Sequence, residues 1–299
     1  LKVYYEGDSS LVRAVDGVSF FVQSGEIMGI AGESGCGKST MAQAILRLIK
    51  PPGRIISGNV FFENIDLLAL PLSELRKIRW KKISYVPQSS MNALNPVARV
   101  RDQIIDVIKA HEGNLPRGEL EKRVEEILES VGLSREVANM YPHELSGGMR
   151  QRVAIAMALV LSPKLLIADE PTTALDVVVQ RGILQLLKDI NKKQNTTIML
   201  ITHDMAVHAE VTDRVAVMYA GKIVEISNTD KLFSDPLHPY TKLLISSIPR
   251  LDKKKKISGI PGLPPDLRNP PLGCRFHPRC PFLIKDKCEI NEPNLVEVS

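Results

Sequence analysis

The sequence predicts an α/β fold that carries a helical subdomain and a small irregular C-terminal extension. Three observations predict it. Residues 26–31 (EIMGIA) are an apolar, strand-like run that leads into a glycine-rich loop and then a helix-spaced segment. Residues 165–171 (LLIADEP) are a second apolar run, closed by two acids. After Pro261 prolines recur at 264, 265, 270, 271, 278 and 281, which excludes long helices and central strands there.

The bulk properties narrow the class. A chain of 299 residues with 44% hydrophobic content holds one large domain with an extension, or two modest domains, and is not disordered. The net charge of +5, from 39 basic and 34 acidic residues, is too weak to argue for nucleic acid but suits an anionic ligand. The longest apolar run, 153–161, is far short of the roughly 18 residues that cross a bilayer. The opening LKVYYEGDSS lacks the apolar core of a signal peptide. The chain therefore reads as soluble and cytoplasmic. Its first residue is Leu1, so it reads as part of a longer product. In a reducing compartment clustered cysteines are metal ligands or redox groups rather than disulfides.

Each element then follows in order. Residues 32–40 (GESGCGKST) fit G-x-x-x-x-G-K-[ST] between the strand 26–31 and the helical spacing of 41–49. Glycines let backbone N–H groups turn toward a phosphate, and the helix start adds a favourable dipole. Lys38 has the reach for the β- and γ-phosphates, and the Ser39 hydroxyl suits Mg²⁺. A glycine-rich turn with a surface lysine is the plain alternative, and the strand–loop–helix context disfavours it. Cys36 is a small loop residue with no metal role. Residues 100–110 and 117–133 show helical apolar spacing with charged opposite faces, joined by LPRG. Residues 145–152 (LSGGMRQR) open a helix over 150–161, with Ser146, Gly147 and Gly148 at its start, where an anion or a simple N-cap fits. The strand at 165 brings Asp169, a candidate Mg²⁺ ligand, and Glu170, which can polarise an attacking water. Residues 196–201 (TTIMLI) form another strand, followed by His203, which taken alone reads as a histidine capping a strand. Residues 214–227 form a hairpin turning at Ala220 and Gly221. Residues 238–249 carry a short helical pattern, and lysines 253–256 read as a solvated linker.

Taken together, these motifs resemble the P-loop ATPases of the ATP-binding-cassette (ABC) family, the nucleotide-binding subunits of ABC transporters. GESGCGKST resembles the Walker A sequence, LSGGMRQ the signature, and LLIADEP the Walker B sequence. YVPQ places Gln88 like the Q-loop, ALD places Asp176 like the D-loop, and ITHD places His203 like the switch histidine. Tyr5 resembles the aromatic that stacks on adenine, with Tyr4 as its rival.

The resemblance implies ATP and Mg²⁺ as ligands and two cassettes meeting head to tail. Tyr5, Gly32, Ser34, Gly35, Cys36, Gly37, Lys38, Ser39, Thr40, Gln88, Asp169 and Asp176 would then bind nucleotide, and Ser146, Gly147 and Gly148 would cover the nucleotide of the partner cassette. Ser39, Gln88 and Asp169 would hold the Mg²⁺. Glu170 would orient the water, His203 would hold the γ-phosphate, and Lys38 and Gln88 would complete the catalytic set. The region between Gln88 and Ser146, about 90–160, would be the helical subdomain that receives a membrane subunit.

The C-terminal end narrows the resemblance. HPYT, GLPPDLRNPPLGCRFHPRCP and NALNP (92–96) resemble ATPase subunits of oligopeptide/dipeptide permeases. That subfamily implies an ABC domain over 1–245, an extension over 246–299, and a peripheral place on the cytoplasmic face of the cell membrane. Its partners would be transmembrane permease subunits, an extracytoplasmic solute-binding protein, and a second, related but non-identical ATPase. It also implies a [4Fe–4S] cluster on Cys274, Cys280 and Cys288, with a fourth cysteine further along. No fourth cysteine follows Cys288 here. Two other readings stay open: zinc completed by His277, or three small packing residues with no metal.

The leading function is therefore an ATPase motor for import of peptides or similar small solutes. A soluble ABC-type ATPase acting on nucleic acid or ribosomes is the alternative. One cassette and no sustained heptads count against it, and no nucleic-acid partner is expected.

Overall fold

The computed structural model describes residues 1–7, 10–90, 93–248 and 259–298. Asn92 and the 253–256 lysine linker lie outside these residues.

The first half of the chain runs β1 (Lys2–Glu6), β2 (Leu11–Asp16), β3 (Ile27–Ala31), α1 (Lys38–Ile45), β4 (Gly53–Ser57), β5 (Phe61–Phe62), β6 (Ile65–Asp66), α2 (Leu72–Ile78) and β7 (Ile83–Val86). Three helices follow: α3 (Val100–Glu112), α4 (Arg117–Ser130) and α5 (Gly147–Leu159). The remainder is β8 (Leu165–Asp169), α6 (Val177–Gln194), β9 (Thr197–Ile201), α7 (Met205–Val211), β10 (Arg214–Tyr219), β11 (Lys222–Asn228), α8 (Thr229–Ser234) and α9 (Pro239–Ser246).

These elements form two compact units. One comprises Leu1–Val22, Met28–Ala69 and Thr202–Ser299; the other comprises Gln23–Ile27 and Leu70–Ile201.

In the first unit β1 lies between β2 and β4, antiparallel to both. β10 runs parallel to β3, with Val217 opposite Ala31, and pairs antiparallel with β11. The hairpin turns at Ala220 and Gly221, both at positive φ, where the sequence places it. Its apolar core gathers Val215, Val217, Tyr219, Leu232, Tyr240, Leu244 and Phe276. Tyr219, Tyr240 and Phe276 meet with ring centroids 4.5, 5.1 and 5.4 Å apart, in tilted and edge-on arrangements. Phe276 thus anchors the proline-rich extension, whose described part forms only a 3-10 turn at His277–Arg279.

In the second unit β8 lies between β7 and β9, all parallel. Every residue of β9 and all but the first of β8 are buried, which explains their unbroken apolar sequence. Register places Asp169 opposite Ile201 at the carboxyl ends of their strands, the edge where ligands bind in α/β sheets. The helical pair follows its spacing closely. α3 buries Val100, Ile104 and Ile108, and α4 buries Leu120, Val124 and Leu128. Among the described residues no helix is long and apolar enough to cross a membrane.

Two of the helix boundaries that differ from the sequence pattern have a clear local cause. Apolar spacing runs on to Ile49, but α1 stops at Ile45. Arg47 takes φ 51°, its N–H reaches the Ala44 carbonyl at 3.0 Å, and the Leu48 N–H reaches Gln43 at 2.8 Å. That pair of bonds is a Schellman motif, made here with arginine in the left-handed position usually taken by glycine. The signature helix α5 begins at Gly147 rather than at residue 150, because the Ser146 side chain accepts the Met149 N–H at 3.3 Å and caps the helix ahead of its glycines.

Candidate nucleotide site

The phosphate loop belongs to the first unit. It leaves β3 through Gly32 at φ 147°, passes Gly35 at φ 79° and enters α1 from Gly37 at φ 108°. A Cβ at Gly32 would stand 2.1 Å from the Met218 carbonyl oxygen, and one at Gly37 would stand 2.0 Å from that of Ala14. Only glycine fits either place. At Gly35 nothing lies within 4 Å of the added carbon, so the loop is open on that side, as a phosphate cradle requires.

Lys38 is buried. Its ammonium donates to the carbonyls of Gly32 at 2.7 Å and Glu33 at 2.9 Å. Burial pushes the Cys36 thiol up against the opposing charge of Lys38, so it stays protonated at neutral pH. Ser39 and Thr40 open α1, and the Tyr5 hydroxyl lies 3.4 Å from Thr40 Oγ1. The Tyr4 hydroxyl instead donates to Asp16 Oδ1 at 2.6 Å. Alternation along β1 thus sends the two tyrosines to different partners. Ser34 and His203 are exposed, His203 in the turn that leads to α7.

The second unit holds the other predicted residues. Gln88 is exposed in the turn after β7. Ser90, two residues on, donates to Gln151 Oε1 of α5 at 2.9 Å and ties that turn to the helix that carries the signature. Asp169 is fully buried, and its Oδ2 accepts the Tyr85 hydroxyl at 2.9 Å. Glu170 adopts φ 49° with its N–H on the Ile201 carbonyl at 2.8 Å, and its Oε2 accepts the Thr173 hydroxyl at 3.0 Å. A non-glycine residue held in the left-handed region is strain of the kind found at functional sites. Gly147 begins α5, and a Cβ at Gly148 would meet Val179 Cγ1 at 2.5 Å. Asp176 caps α6 by accepting the N–H groups of Val178 and Val179 at 3.0 and 2.9 Å.

Several contributors carry no motif signal of their own. Tyr85 lies inside YVPQ but is marked there by nothing except strand alternation. Glu33 lies at a variable position of the phosphate loop. Its N–H donates to the Tyr240 hydroxyl at 2.9 Å, and its carboxylate takes both terminal nitrogens of Arg279, at 2.8 and 3.0 Å. HPYT gains a local explanation from the same unit. His238 Nδ1 accepts the Tyr240 N–H at 3.1 Å as the cap of α9, Pro239 fills the first helical position, and Tyr240 reaches the phosphate loop.

The three clustered cysteines are half-buried. The Cys274 N–H bonds the Cys288 carbonyl at 2.9 Å. Burial chiefly raises the Cys274 thiol, with further contributions from the charges of Cys288 and Cys280, against an opposing hydrogen bond from the Phe276 amide. The Cys280 thiol is likewise raised by burial and hydrogen-bonded by the Phe282 amide. His277 Nδ1 lies 3.0 Å from the Cys274 carbonyl. Among the described residues no three His, Cys, Asp or Glu side chains gather closely enough to hold a metal ion.

Comparison with known proteins decides the family. Residues 15–173 match the family described as ABC transporter. The chain belongs to that family. Residues 224–288 match a second description, the oligopeptide/dipeptide transporter C-terminal region. The dipeptide transport ATP-binding protein DppD of Caldanaerobacter subterraneus is 45% identical over all of this chain and 92% of its own length. The oligopeptide transport ATP-binding protein OppD of Bacillus subtilis is 49% identical over all of this chain and 84% of its own. The ATP-binding cassette MJ0796, solved as a dimer bound to ADP and Pi, matches with a TM-score of 0.68 at 34% identity, covering 77% of this chain and 96% of that one. CbiO1 from Clostridium perfringens, part of the transporter complex cbiONQ, matches with a TM-score of 0.65 at 31% identity, covering 78% and 90%. The α/β P-loop cassette fold and the ATPase class read from the motifs are thus those of the family.

Proposed function

We propose that this ABC ATPase is the motor subunit of a membrane importer for peptides or similar small solutes. The observation that carries the reading is the second match. Residues 224–288 align with the oligopeptide/dipeptide transporter C-terminal region, and relatives matched over the full chain are named for dipeptide and oligopeptide transport. The subunit takes a peripheral place on the cytoplasmic face of the membrane. It works with permease subunits, a solute-binding protein and a second, related ATPase. Residues 1–245 are the cassette, with its helical subdomain at about 90–160, and 246–299 are the extension.

The residue roles follow the motifs. Loop amides from Gly32 to Thr40 and the Lys38 ammonium hold the phosphates, with Tyr5 beside the base. The glycine conformations, the open side at Gly35 and the buried Lys38 support phosphate binding. Ser39, Gln88 and Asp169 hold the Mg²⁺ that neutralises phosphate charge. Glu170 orients the water and His203 steadies the γ-phosphate. Ser146, Gly147 and Gly148, at the exposed start of α5, meet the nucleotide of the partner cassette, and Asp176 lines the same approach.

Cys274, Cys280 and Cys288 hold a [4Fe–4S] cluster in this reading, with zinc completed by His277 as the alternative. Three cysteines within one short segment support this reading. When bound, either group would cross-link a proline-rich segment that has little regular structure of its own.

The test is ATP-dependent peptide uptake by proteoliposomes of the assembled transporter. Uptake abolished by Lys38→Ala supports the reading. ATP-dependent retention of the chain on DNA or ribosomes, without uptake, overturns it.

A further inference from the structure

Every polar group of Glu33 is engaged. Its carbonyl accepts from Lys38, its N–H donates to Tyr240, and its carboxylate faces the Arg279 guanidinium in a two-pronged pair. Arg279 lies in the cysteine-rich segment, 246 residues further along the chain. Its side chain is only 5% exposed, against 25% for Glu33. Its remaining nitrogen donates to the Pro261 carbonyl at 2.8 Å, and Nη1 also donates to the Tyr219 hydroxyl at 3.2 Å. A guanidinium with four fixed acceptors cannot reorient without breaking several bonds at once, which distinguishes it from a surface ion pair. Two neighbouring ties run the same way. The Gly221 N–H holds the Cys36 carbonyl at 2.9 Å, and Arg275 donates to the Ala220 carbonyl beside it.

We propose that Arg279, helped by Tyr240, is a positioning residue of the ATP site. It fixes Glu33, and through Glu33 the phosphate loop and the Lys38 ammonium, so the cysteine-bearing extension sets how well the loop binds phosphate. Arg279 touches no phosphate itself. The inference rests on the reading that Gly32 to Thr40 is the ATP phosphate loop.

The test uses the full chain for titration with a fluorescent ATP analogue, and the assembled transporter for KM and kcat. Positioning that serves ground state and transition state alike changes KM and spares kcat, so Arg279→Gln is expected to raise Kd and KM about tenfold while kcat stays within about twofold. Glu33→Gln should do the same, and the double variant should be no worse than either single one. Arg279→Lys, which keeps the charge and loses the fork, should fall between wild type and Arg279→Gln. If Arg279→Gln does not fold, Glu33→Gln and Arg279→Lys carry the test. A lowered melting temperature with unchanged Kd and KM, or full additivity of the two single variants, overturns the proposal. Lys38→Ala separates the two levels. If it also leaves nucleotide affinity unchanged, the phosphate-loop reading fails; if it abolishes binding while the Arg279 and Glu33 variants change nothing, only this inference fails.

Discussion

Arg275 and Asp16 form a buried ion pair across 259 residues of sequence, joining the C-terminal segment to the end of β2. The Tyr4 hydroxyl donates to the other carboxylate oxygen, and Arg275 also holds the Ala220 carbonyl. With Phe276 packed on Tyr219 and Tyr240, and Arg279 on Glu33, three residues within five positions attach the extension to the first unit.

This pair makes stability depend on acid. Burial alone would push the Asp16 carboxyl up, but the Tyr4 hydrogen bond and the charges of Arg275 and Lys222 outweigh it and hold the group below its ordinary value. As pH falls, the unfolded chain takes up this proton first. The stabilisation is therefore complete above about pH 4 and is lost as pH drops through the lower folded-state value. Asp16→Asn should lower the urea midpoint at neutral pH and flatten its fall below about pH 4. Arg275→Met, which strands a buried carboxylate, should cost about 3–5 kcal/mol. A variant whose acid limb matches wild type would show that Asp16 does not contribute to it.

Tyr85 should matter to Asp169 in a way no motif predicts. Tyr85→Phe removes one donor from a fully buried carboxylate and should cost about 1–2 kcal/mol of stability, read as a drop in melting temperature. An unchanged melting temperature would mean that other partners of Asp169 compensate.

What the sequence makes legible is local. The N-caps Ser146 and Asp176 rest on contacts two or three residues apart, and the phosphate-loop glycines, the amphipathic helices and the hairpin at Ala220–Gly221 show as short motifs and periodic spacing, so the local pattern reports them. The pairs Tyr85–Asp169, Glu33–Arg279 and Asp16–Arg275 join residues 84 to 259 positions apart. Nothing in their local spacing marks them, because they depend on how strands align and where the extension folds back. The early stop of α1 is hidden for another reason. Arginine at Arg47 is a poor predictor of a left-handed cap, and the apolar spacing continues past it.

Metal content decides the role of the three cysteines. Elemental analysis of protein purified without oxygen should find iron at about four atoms per chain. Zinc in its place would move the assignment to a site completed by His277. Neither metal would leave Cys274, Cys280 and Cys288 as packing residues and overturn the cluster.

The most direct test of the ATPase account concerns Glu170, held at φ 49° beside the end of β9. Glu170→Gln keeps the shape of the side chain and removes the charge that the proposed role requires to orient water. In the assembled transporter, the variant should bind ATP with wild-type affinity while steady-state hydrolysis falls by about a hundredfold or more. Hydrolysis that persists near the wild-type rate would show that another group orients the water and would contradict the assignment.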